Sequence, residues 1–216
     1  MNNYLTRRIV LLRHGQLAAE PALIGRTDAP LSPHSLLQLK QWCHQLPPLL
    51  PWQRIVTSPL QRCHEMGRQL AAASACACEV MPDIAEMDFG ELDGRPYDQI
   101  TDAWPVLERF WATPMEAPLP GAETLAAFNH RVWNAWPRLL EMTREHSLLV
   151  VTHGGVMRML LAQLLHADWH AGEYYQQMQI PYASATEVAV WHYDGQIRTQ
   201  LRQLAIPFET LLKQVS

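Results

Sequence analysis

The stretch "IVLLRHGQLAAE", residues 9–20, decides the fold of this chain. Its first four residues, Ile9–Leu12, are all apolar, which is typical of a strand buried on both faces of a sheet. Arg13, His14 and Gly15 follow directly. Loops more often carry Asp, Asn, Ser or Pro at such a position. The stretch therefore predicts a buried strand with a cation and an imidazole at its carboxyl end.

Composition and charge restrict the class of protein. The 216 residues are 48% hydrophobic and 18% charged, which is typical of a globular α/β chain with a substantial core. A formal net charge of −4 argues against a nucleic-acid-binding protein, because such proteins need a basic surface. No apolar run approaches the ~18 residues of a membrane span, and nothing near the N-terminus resembles a signal peptide. We therefore expect a cytoplasmic protein that binds neither nucleic acid nor membranes.

The cysteines do not indicate a metal site. Cys76 and Cys78 are separated by one residue, but no second Cys or His pair stands at the spacing of a zinc site. We therefore expect the four cysteines to be reduced and mostly buried, and we expect no metal and no cofactor.

Strand-like and helix-like segments alternate along the chain. Strands are predicted at 8–12, 54–56, 79–81 and 147–152. Helices are predicted at about 34–46, from a Ser58 N-cap onward, at about 123–145 with an interruption at Pro137, and at 156–165. Segments 187–193 and 197–201 flank Asp194-Gly195, a strong hairpin signal. This order predicts an α/β fold, a three-layer α/β/α sandwich whose mostly parallel central sheet has an antiparallel terminal strand.

The segment Pro82–Gly121 breaks this alternation. It contains six prolines, which favour loops and short helices over longer regular elements. We interpret it as a cap over the carboxyl ends of the parallel strands, where ligands bind in such sheets. Trp104 and Trp111 are candidate cap residues, although core packing explains most of the eight tryptophans.

Three predicted strands end in residues that suit one chemistry. Arg13 and His14 follow the first strand, and Arg62 follows the second after one helical turn. His153 and Gly154 follow the fourth. Guanidinium forks suit phosphate oxygens, a glycine turn at a helix N-terminus favours an anion, and a neutral histidine can attack phosphorus. Each residue alone has an ordinary structural explanation, but their joint placement predicts a phosphate site.

Four motifs, in this order, resemble the histidine phosphatase superfamily, which has the phosphoglycerate mutase-like fold. They are "LLRHG", "SPLQRC", "EMDFGELDGR" and "VVTHGGVMR". The resemblance covers residues 9 to about 160. It implies one histidine phosphatase domain over residues 1–216, with residues 82–121 as a cap or insert.

The resemblance also implies roles for individual residues. His14 would be the nucleophile that forms a phosphohistidine, and His153 would be the second catalytic histidine. Glu86 would donate a proton to the departing alcohol, although only its motif position selects it over Asp88 and Glu91. No metal would be needed, because arginines and histidines carry the positive charge. The remaining phosphate-binding residues would be Arg13, Arg62 and Gly154.

Two positions depart from the commoner pattern of the superfamily. Many members read Arg-His-Gly-Glu-Thr/Ser, with an Asn a few residues later. This chain has Gln16, Leu17 and, near the Asn position, Glu20. Leu17 cannot donate a hydrogen bond, and an inward-pointing Glu20 would repel phosphate. Either another donor such as Thr27 substitutes, or phosphate binding is weaker.

Three functions remain open at this level: a phosphatase, a mutase-type phosphotransferase and an inert binding protein. A mutase would need basic residues to grip a small carboxylate-bearing substrate, and residues 96–121 offer only Arg109, among aromatics. This favours hydrolysis of a phosphomonoester with a larger, partly apolar leaving group. An inert member would typically lose the nucleophile or an arginine, and this chain has both.

The resemblance implies a small phosphorylated metabolite as substrate. "RFWATP" and "LPGAETLAAFNHRVW" look most like α-ribazole-5′-phosphate phosphatases, a group within the superfamily that acts in cobalamin assembly. An aromatic cap would fit a benzimidazole base, although related broad-specificity phosphatases share much of the pattern. In that group Glu123 lies near the substrate loop, but an acidic residue at a helix N-terminus explains it equally well.

The terminal hairpin bears on oligomeric state. The strand with Val188, Val190 and Trp191 either lies at a sheet edge and pairs across a homodimer, or is a packed terminal strand.

Overall fold

A six-stranded sheet lies at the centre of the computed structural model, which describes residues 5–47 and 49–214. Its strands are β1 (Leu5–Arg13), β2 (Arg54–Thr57), β3 (Ala77–Val80), β4 (Leu148–Thr152), β5 (Ser184–Tyr193) and β6 (Gln196–Pro207). Their order across the sheet is β3-β2-β4-β1-β5-β6. The pairings among the first four strands are parallel, whereas β5 and β6 pair antiparallel with their neighbours. The predicted, mostly parallel sheet is confirmed.

The helices of the described residues connect and flank these strands. They are α1 (Pro33–His44), α2 (Gln61–Ser74), α3 (Trp104–Ala112), α4 (Leu125–Met142), α5 (Gly154–Leu165), α6 (Gly172–Gln177) and α7 (Phe208–Lys213). The short helices α6 and α7 were not predicted. In the part of the chain that the structure describes, no helix has both the length and the apolar character needed to cross a membrane.

Both faces of the sheet are buried, because successive side chains of a strand point to opposite faces. In β1, Ile9 and Leu11 pack into a core with α4 and α5, whereas Val10 and Leu12 pack against α1, α2 and α7. All four side chains are fully buried. Helices therefore cover both faces, which confirms the three-layer sandwich.

The segment Pro82–Gly121 consists of loops, short 3₁₀ turns and α3, as predicted. Leu92, Ile100, Leu107 and Phe110 attach it to the same core as α4 and α5. It therefore lies on one face of the sheet only.

The predicted start of one helix and the predicted interruption of another are wrong. Helix α2 begins at Gln61 with Leu60 as its N-cap, not at Ser58. The Ser58 hydroxyl accepts from the Leu60 N–H at 3.3 Å and lies 2.7 Å from His153 Nε2. Asp28 accepts the Gln61 N–H instead, at 2.7 Å. Helix α4 continues through Pro137 without interruption, since the buried residues before and after the proline outweigh its missing donor.

The cysteines are free thiols, but the expectation that they are mostly buried is wrong. Cys63 is buried, Cys43 and Cys76 are half-buried, and Cys78 is exposed. Cys78 lies in β3, an edge strand whose residues are all exposed.

The predicted hairpin is confirmed. Asp194 and Gly195 both have positive φ, 48° and 74°, as a two-residue hairpin turn of the favoured twist requires. The idea that the strand with Val188 and Val190 lies at an edge is wrong, because β5 pairs on one side with β1 and on the other with β6. Dimerisation itself stays a prediction.

Candidate active site

The carboxyl ends of β1, β4 and β2 meet at one edge of the sheet. His14 follows β1, and its backbone N–H donates to the Thr152 carbonyl at the end of β4, at 3.0 Å. Ser58 follows β2 and donates in the same way to Val151, at 3.0 Å. This parallel register brings His14, His153 and the start of α2 together, as the sequence predicts.

The His14 imidazole is buried and neutral. Its Nδ1 lies 2.8 Å from the Gly15 carbonyl oxygen, which can only accept, so we assign the proton to Nδ1 and the lone pair to Nε2. Burial, followed by the positive charges of Arg62 and Arg13, holds the pKa of His14 well below its usual value. An unprotonated Nε2 beside guanidinium groups is the form of histidine that can attack phosphorus.

Arg13 lies beside His14 with its guanidinium held on two sides. Nη1 donates to the Ile180 carbonyl, and Cζ stacks 3.8 Å from the centre of the Tyr182 ring. Nε is buried and finds no hydrogen-bond partner among the described residues. Burial lowers the pKa of Arg13, but a guanidinium remains protonated in proteins. Arg13 therefore offers an unsatisfied cationic donor at the site.

Gly154 lies close against this guanidinium. A Cβ on Gly154 would lie 3.2 Å from Arg13 Cζ, tighter than most packing allows. Gly154 begins α5 directly after β4, so its position also belongs to the helix N-terminus that favours an anion.

Arg62 and His153 form a fully buried pair behind His14. Arg62 Nε donates to His153 Nδ1 at 3.2 Å, and the two rings His14 and His153 meet edge to face with centroids 5.2 Å apart. The other guanidinium nitrogens donate to the Thr27 and Gly25 carbonyls at 2.9 and 2.6 Å. Burial first, then His14 and the nearby arginines, hold the pKa of His153 well below its usual value. Neither Arg62 nor His153 lines the open cavity.

The carboxylate of Glu86 lines the same cavity as Arg13 and His14. Its Oε1 accepts from the Met87 N–H and its Oε2 from the Gly155 N–H, each at 3.0 Å. Of the four acidic residues in its motif, Glu86 lines the cavity, whereas Asp88, Glu91 and Asp93 do not. The motif position and the geometry thus select the same carboxylate.

Changing Gly155 to alanine should disrupt this carboxylate. A Cβ at that position would lie 2.3 Å from Glu86 Oε1, so Glu86 must move. We expect kcat to fall by about 10²-fold, which a displacement of about 1 Å of a catalytic group can cause. The measurement is steady-state phosphate release, with circular dichroism and thermal melting to show that the variant folds. A Gly155→Ala enzyme with unchanged kcat would contradict the assigned contact.

The cavity at this edge has a volume of about 490 Å³, within the usual range for small-molecule sites. Its polar lining residues include Arg13, His14 and Glu86. The rest of its wall is largely apolar. The aromatic lining residues are Phe89, Tyr97, Phe110, Trp111, Phe128, Tyr175 and Tyr182.

The remaining candidate residues, which are Trp104, Trp111, Thr27 and Glu123, differ in whether they reach the cavity. Trp111 lines the cavity, whereas Trp104 stands behind it, edge to face with the Trp111 ring at 5.6 Å. Thr27 lies outside the cavity, and its side chain bonds Asp93. Glu123 is also outside and forms an ion pair with Arg131 at 2.7 Å.

Leu17 and Glu20, the two residues that depart from the superfamily pattern, occupy different surroundings. Leu17 lines the cavity and pairs with Leu31 through an isolated antiparallel bridge. Glu20 is exposed and does not line the cavity. Thus no carboxylate from residues 16–20 lines the cavity.

Most of the apolar lining residues were not predicted from the sequence, and neither were Arg158 and Tyr182. Arg158 lies in α5, where Nε donates to the Met178 carbonyl at 2.7 Å. A signal was available, since Arg158 stands one helical turn after Gly154 and shares its face. Tyr182 lies in the connection before β5, where periodicity carries no information about side-chain direction.

A sequence profile of the histidine phosphatase superfamily (branch 1) matches residues 9–201. The chain belongs to this superfamily. The matched range includes every residue of the site described above. Members of the superfamily are phosphatases and mutases, and the protein is an enzyme of this class.

Curated relatives within the superfamily carry different names. An adenosylcobalamin/α-ribazole phosphatase of Salmonella typhimurium is 29% identical over 170 residues, which are 76% of this chain and 84% of that protein. An Enterobacter protein named "Probable phosphoglycerate mutase GpmB" is 28% identical over 167 residues, 73% of this chain and 74% of its own.

Solved structures show the same superfamily fold. A mycobacterial glucosyl-3-phosphoglycerate phosphatase superposes with a TM-score of 0.77 at 22% identity, covering 94% of this chain and 100% of its own. The α-ribazole phosphatase of Shigella flexneri superposes with a TM-score of 0.73 at 20% identity, over 93% and 98%. These likenesses establish the phosphoglycerate mutase-like architecture.

Proposed function

We propose that this enzyme hydrolyses small phosphomonoesters through a phosphohistidine on His14 Nε2. The observation that carries the proposal is the neutral His14 imidazole, with Nδ1 bonded to the Gly15 carbonyl, beside the unsatisfied Nε of Arg13. A phosphate placed over His14 would satisfy that donor and meet the N-terminus of α5.

The first step transfers the phosphoryl group to the enzyme. Nε2 of His14 forms a bond to phosphorus while the bond from phosphorus to the ester oxygen breaks. The leaving oxygen takes the proton of the Glu86 carboxyl group and departs as an alcohol. Arg13 stabilises the charge on the equatorial oxygens of the transition state.

The second step returns the enzyme to its resting state. The Glu86 carboxylate accepts a proton from water, and that water forms a bond to phosphorus as the bond from phosphorus to nitrogen breaks. Inorganic phosphate leaves, His14 is again neutral, and Glu86 is again protonated. One carboxylate thus acts as acid and then as base.

The preferred substrate we propose is α-ribazole 5′-phosphate. Its leaving group carries a flat benzimidazole, and the cavity lining offers Trp111, Phe110 and Phe89 for stacking. The name of the Salmonella relative supports the same choice.

A phosphoglycerate-type substrate is the second candidate, and Arg158 is the observation that favours it. Arg158 adds a cation to the cavity wall, and a carboxylate or second anionic group of a substrate could pair with it. Relatives named for phosphoglycerate chemistry are consistent with this reading.

A comparison of kcat/KM tests the substrate. We expect α-ribazole 5′-phosphate to exceed 3-phosphoglycerate and p-nitrophenyl phosphate by about 10²-fold or more, since binding of the remote base contributes to catalysis. A flat profile would refute the α-ribazole assignment in favour of a broad-specificity phosphatase. A preference for 3-phosphoglycerate would support the second candidate.

Trp111→Ala should separate the two substrates. We expect kcat/KM for α-ribazole 5′-phosphate to fall about fivefold or more, because an aromatic contact contributes about 1 kcal/mol beyond its buried area. The value for 3-phosphoglycerate, which carries no ring, should change little. Trp191→Ala, which removes a half-buried tryptophan of β5 outside the cavity, is the matched control. Equal losses for both substrates, or in both variants, would contradict a stacking role for Trp111.

A further inference from the structure

The backbone before Glu86 is held by side chains from two other elements. Residues 85–89 belong to no helix or strand, so their carbonyls have no partners in a ladder. Arg131 donates to the carbonyls of Asp83, Ala85 and Glu86 at 2.9, 2.7 and 2.9 Å. Thr152 Oγ1 donates to the intervening carbonyl of residue 84, at 2.8 Å. Four successive carbonyls leading into the catalytic carboxylate are therefore satisfied by side chains.

Arg131 uses its entire guanidinium for this purpose. Besides the three carbonyl bonds, Nε and Nη2 donate to the two carboxylate oxygens of Glu123 at 2.7 and 2.8 Å. Five bonds match the five N–H donors of a guanidinium. A lysine could not reproduce this planar pattern, since its ammonium is a compact charge with three donors.

Glu123 also bonds the backbone that follows Glu86 in the chain. Its Oε2 accepts from the Asp88 N–H at 3.4 Å, and its own N–H donates to the Asp88 carbonyl at 3.0 Å. The side chains of Arg131 and Glu123 are only 17% and 15% exposed, so solvent weakens the pair little. Hydrogen bonds from Arg131 and Glu123 therefore fix the backbone immediately before Glu86 and at Asp88, two residues after it.

We propose that Arg131, locked by Glu123, is a positioning residue that aims the Glu86 carboxyl group at the leaving oxygen. This inference rests on the proposed function, in which Glu86 protonates the departing alcohol. A general acid acts only within hydrogen-bond reach of the oxygen that it protonates, so a loose backbone at Glu86 lowers the rate of P–O cleavage. Substrate binding, which depends on the Arg13 side of the cavity, is largely independent of this grip.

Arg131→Lys tests the proposal. We expect kcat for an alkyl phosphate such as glycerol phosphate to fall by about 10- to 100-fold with little change in KM. The kcat/KM for p-nitrophenyl phosphate should fall much less, because its leaving group departs without a proton. Arg138→Lys is the matched control: Arg138 lies in the same helix and pairs with the side chain of Asp83 at 2.7 Å, but makes no bond to the Glu86 backbone.

A double-mutant cycle with Glu86→Ala decides between positioning and general destabilisation. If Arg131 acts through Glu86, Arg131→Lys will lower kcat/KM for the alkyl phosphate in the wild type and not in the Glu86→Ala background. Losses that are equal in the two backgrounds would overturn the proposal.

If Arg131→Lys fails to fold, as judged by circular dichroism and thermal melting, Glu123→Gln is taken through the same cycle. If Glu86→Ala alone has no leaving-group dependence, the proposed role of Glu86 fails instead, and the two failures are distinguishable.

Discussion

His14→Ala should abolish phosphatase activity and prevent formation of a phosphoenzyme. We expect kcat to fall by about 10⁴-fold or more, as is usual when a covalent nucleophile is removed. Wild-type enzyme mixed rapidly with a labelled phosphomonoester and quenched in base should carry label that is stable to base and labile to acid, which is the behaviour of a phosphohistidine. The neutral, Nδ1-protonated imidazole of His14 is the reason for this expectation.

His64→Ala is the matched control for this experiment, because His64 is exposed on α2 and does not line the cavity. Its labelling and turnover should equal those of the wild type. Label that persists in His14→Ala, or that survives acid, would contradict the assignment of His14 as nucleophile. Absence of label in the wild type with every phosphomonoester would remove the phosphohistidine proposal altogether.

Glu86→Ala should slow alkyl phosphates far more than aryl phosphates. We expect kcat/KM for an alkyl phosphate to fall by about 10²- to 10⁴-fold, the usual contribution of a general acid. A p-nitrophenyl leaving group needs no proton, so its kcat/KM should fall much less. Water then attacks the phosphohistidine without a base, so the phosphoenzyme should accumulate with the aryl substrate. The measurements are steady-state kinetics with both ester classes and base-quenched labelling.

Glu91→Ala is the control for Glu86, since Glu91 lies in the same motif but is exposed and outside the cavity. It should leave both ester classes unchanged. Equal losses with alkyl and aryl phosphates in Glu86→Ala would remove Glu86 as the acid. A leaving-group dependence in Glu91→Ala would transfer the role to that residue.

Local patterns in the sequence were enough to predict the architecture. The apolar run Ile9–Leu12 indicated a strand covered on both faces, and the alternation of such strands with helical segments led to the parallel sheet. Because parallel strands end at one edge, Arg13, His14 and His153 could be placed together before any contact was known. Asp194-Gly195 predicted its hairpin for a similar reason, since few sequences tolerate positive φ at both turn positions.

The sequence was less informative about which distant residues a side chain contacts. Trp104 and Trp111 are equivalent by pattern, yet Trp111 lines the cavity and Trp104 stands behind it. Glu123 could be read as a substrate contact or as a helix N-terminal charge, and the structure pairs it with Arg131. Periodicity predicts which face of an element is buried, but not which distant residue a polar side chain will meet.

The sequence by itself therefore determined the sheet, its edge and the residue types that stand there. Only the tertiary structure decided that Arg62 and His153 form a buried pair behind His14, and that Arg131 grips the backbone of Glu86. The physical reason is the range of the interactions. Strand burial and turn conformation depend on neighbours along the chain, whereas the bond from Arg131 to Glu86 joins residues 45 positions apart. It exists only once α4 has packed against the segment that carries the acid.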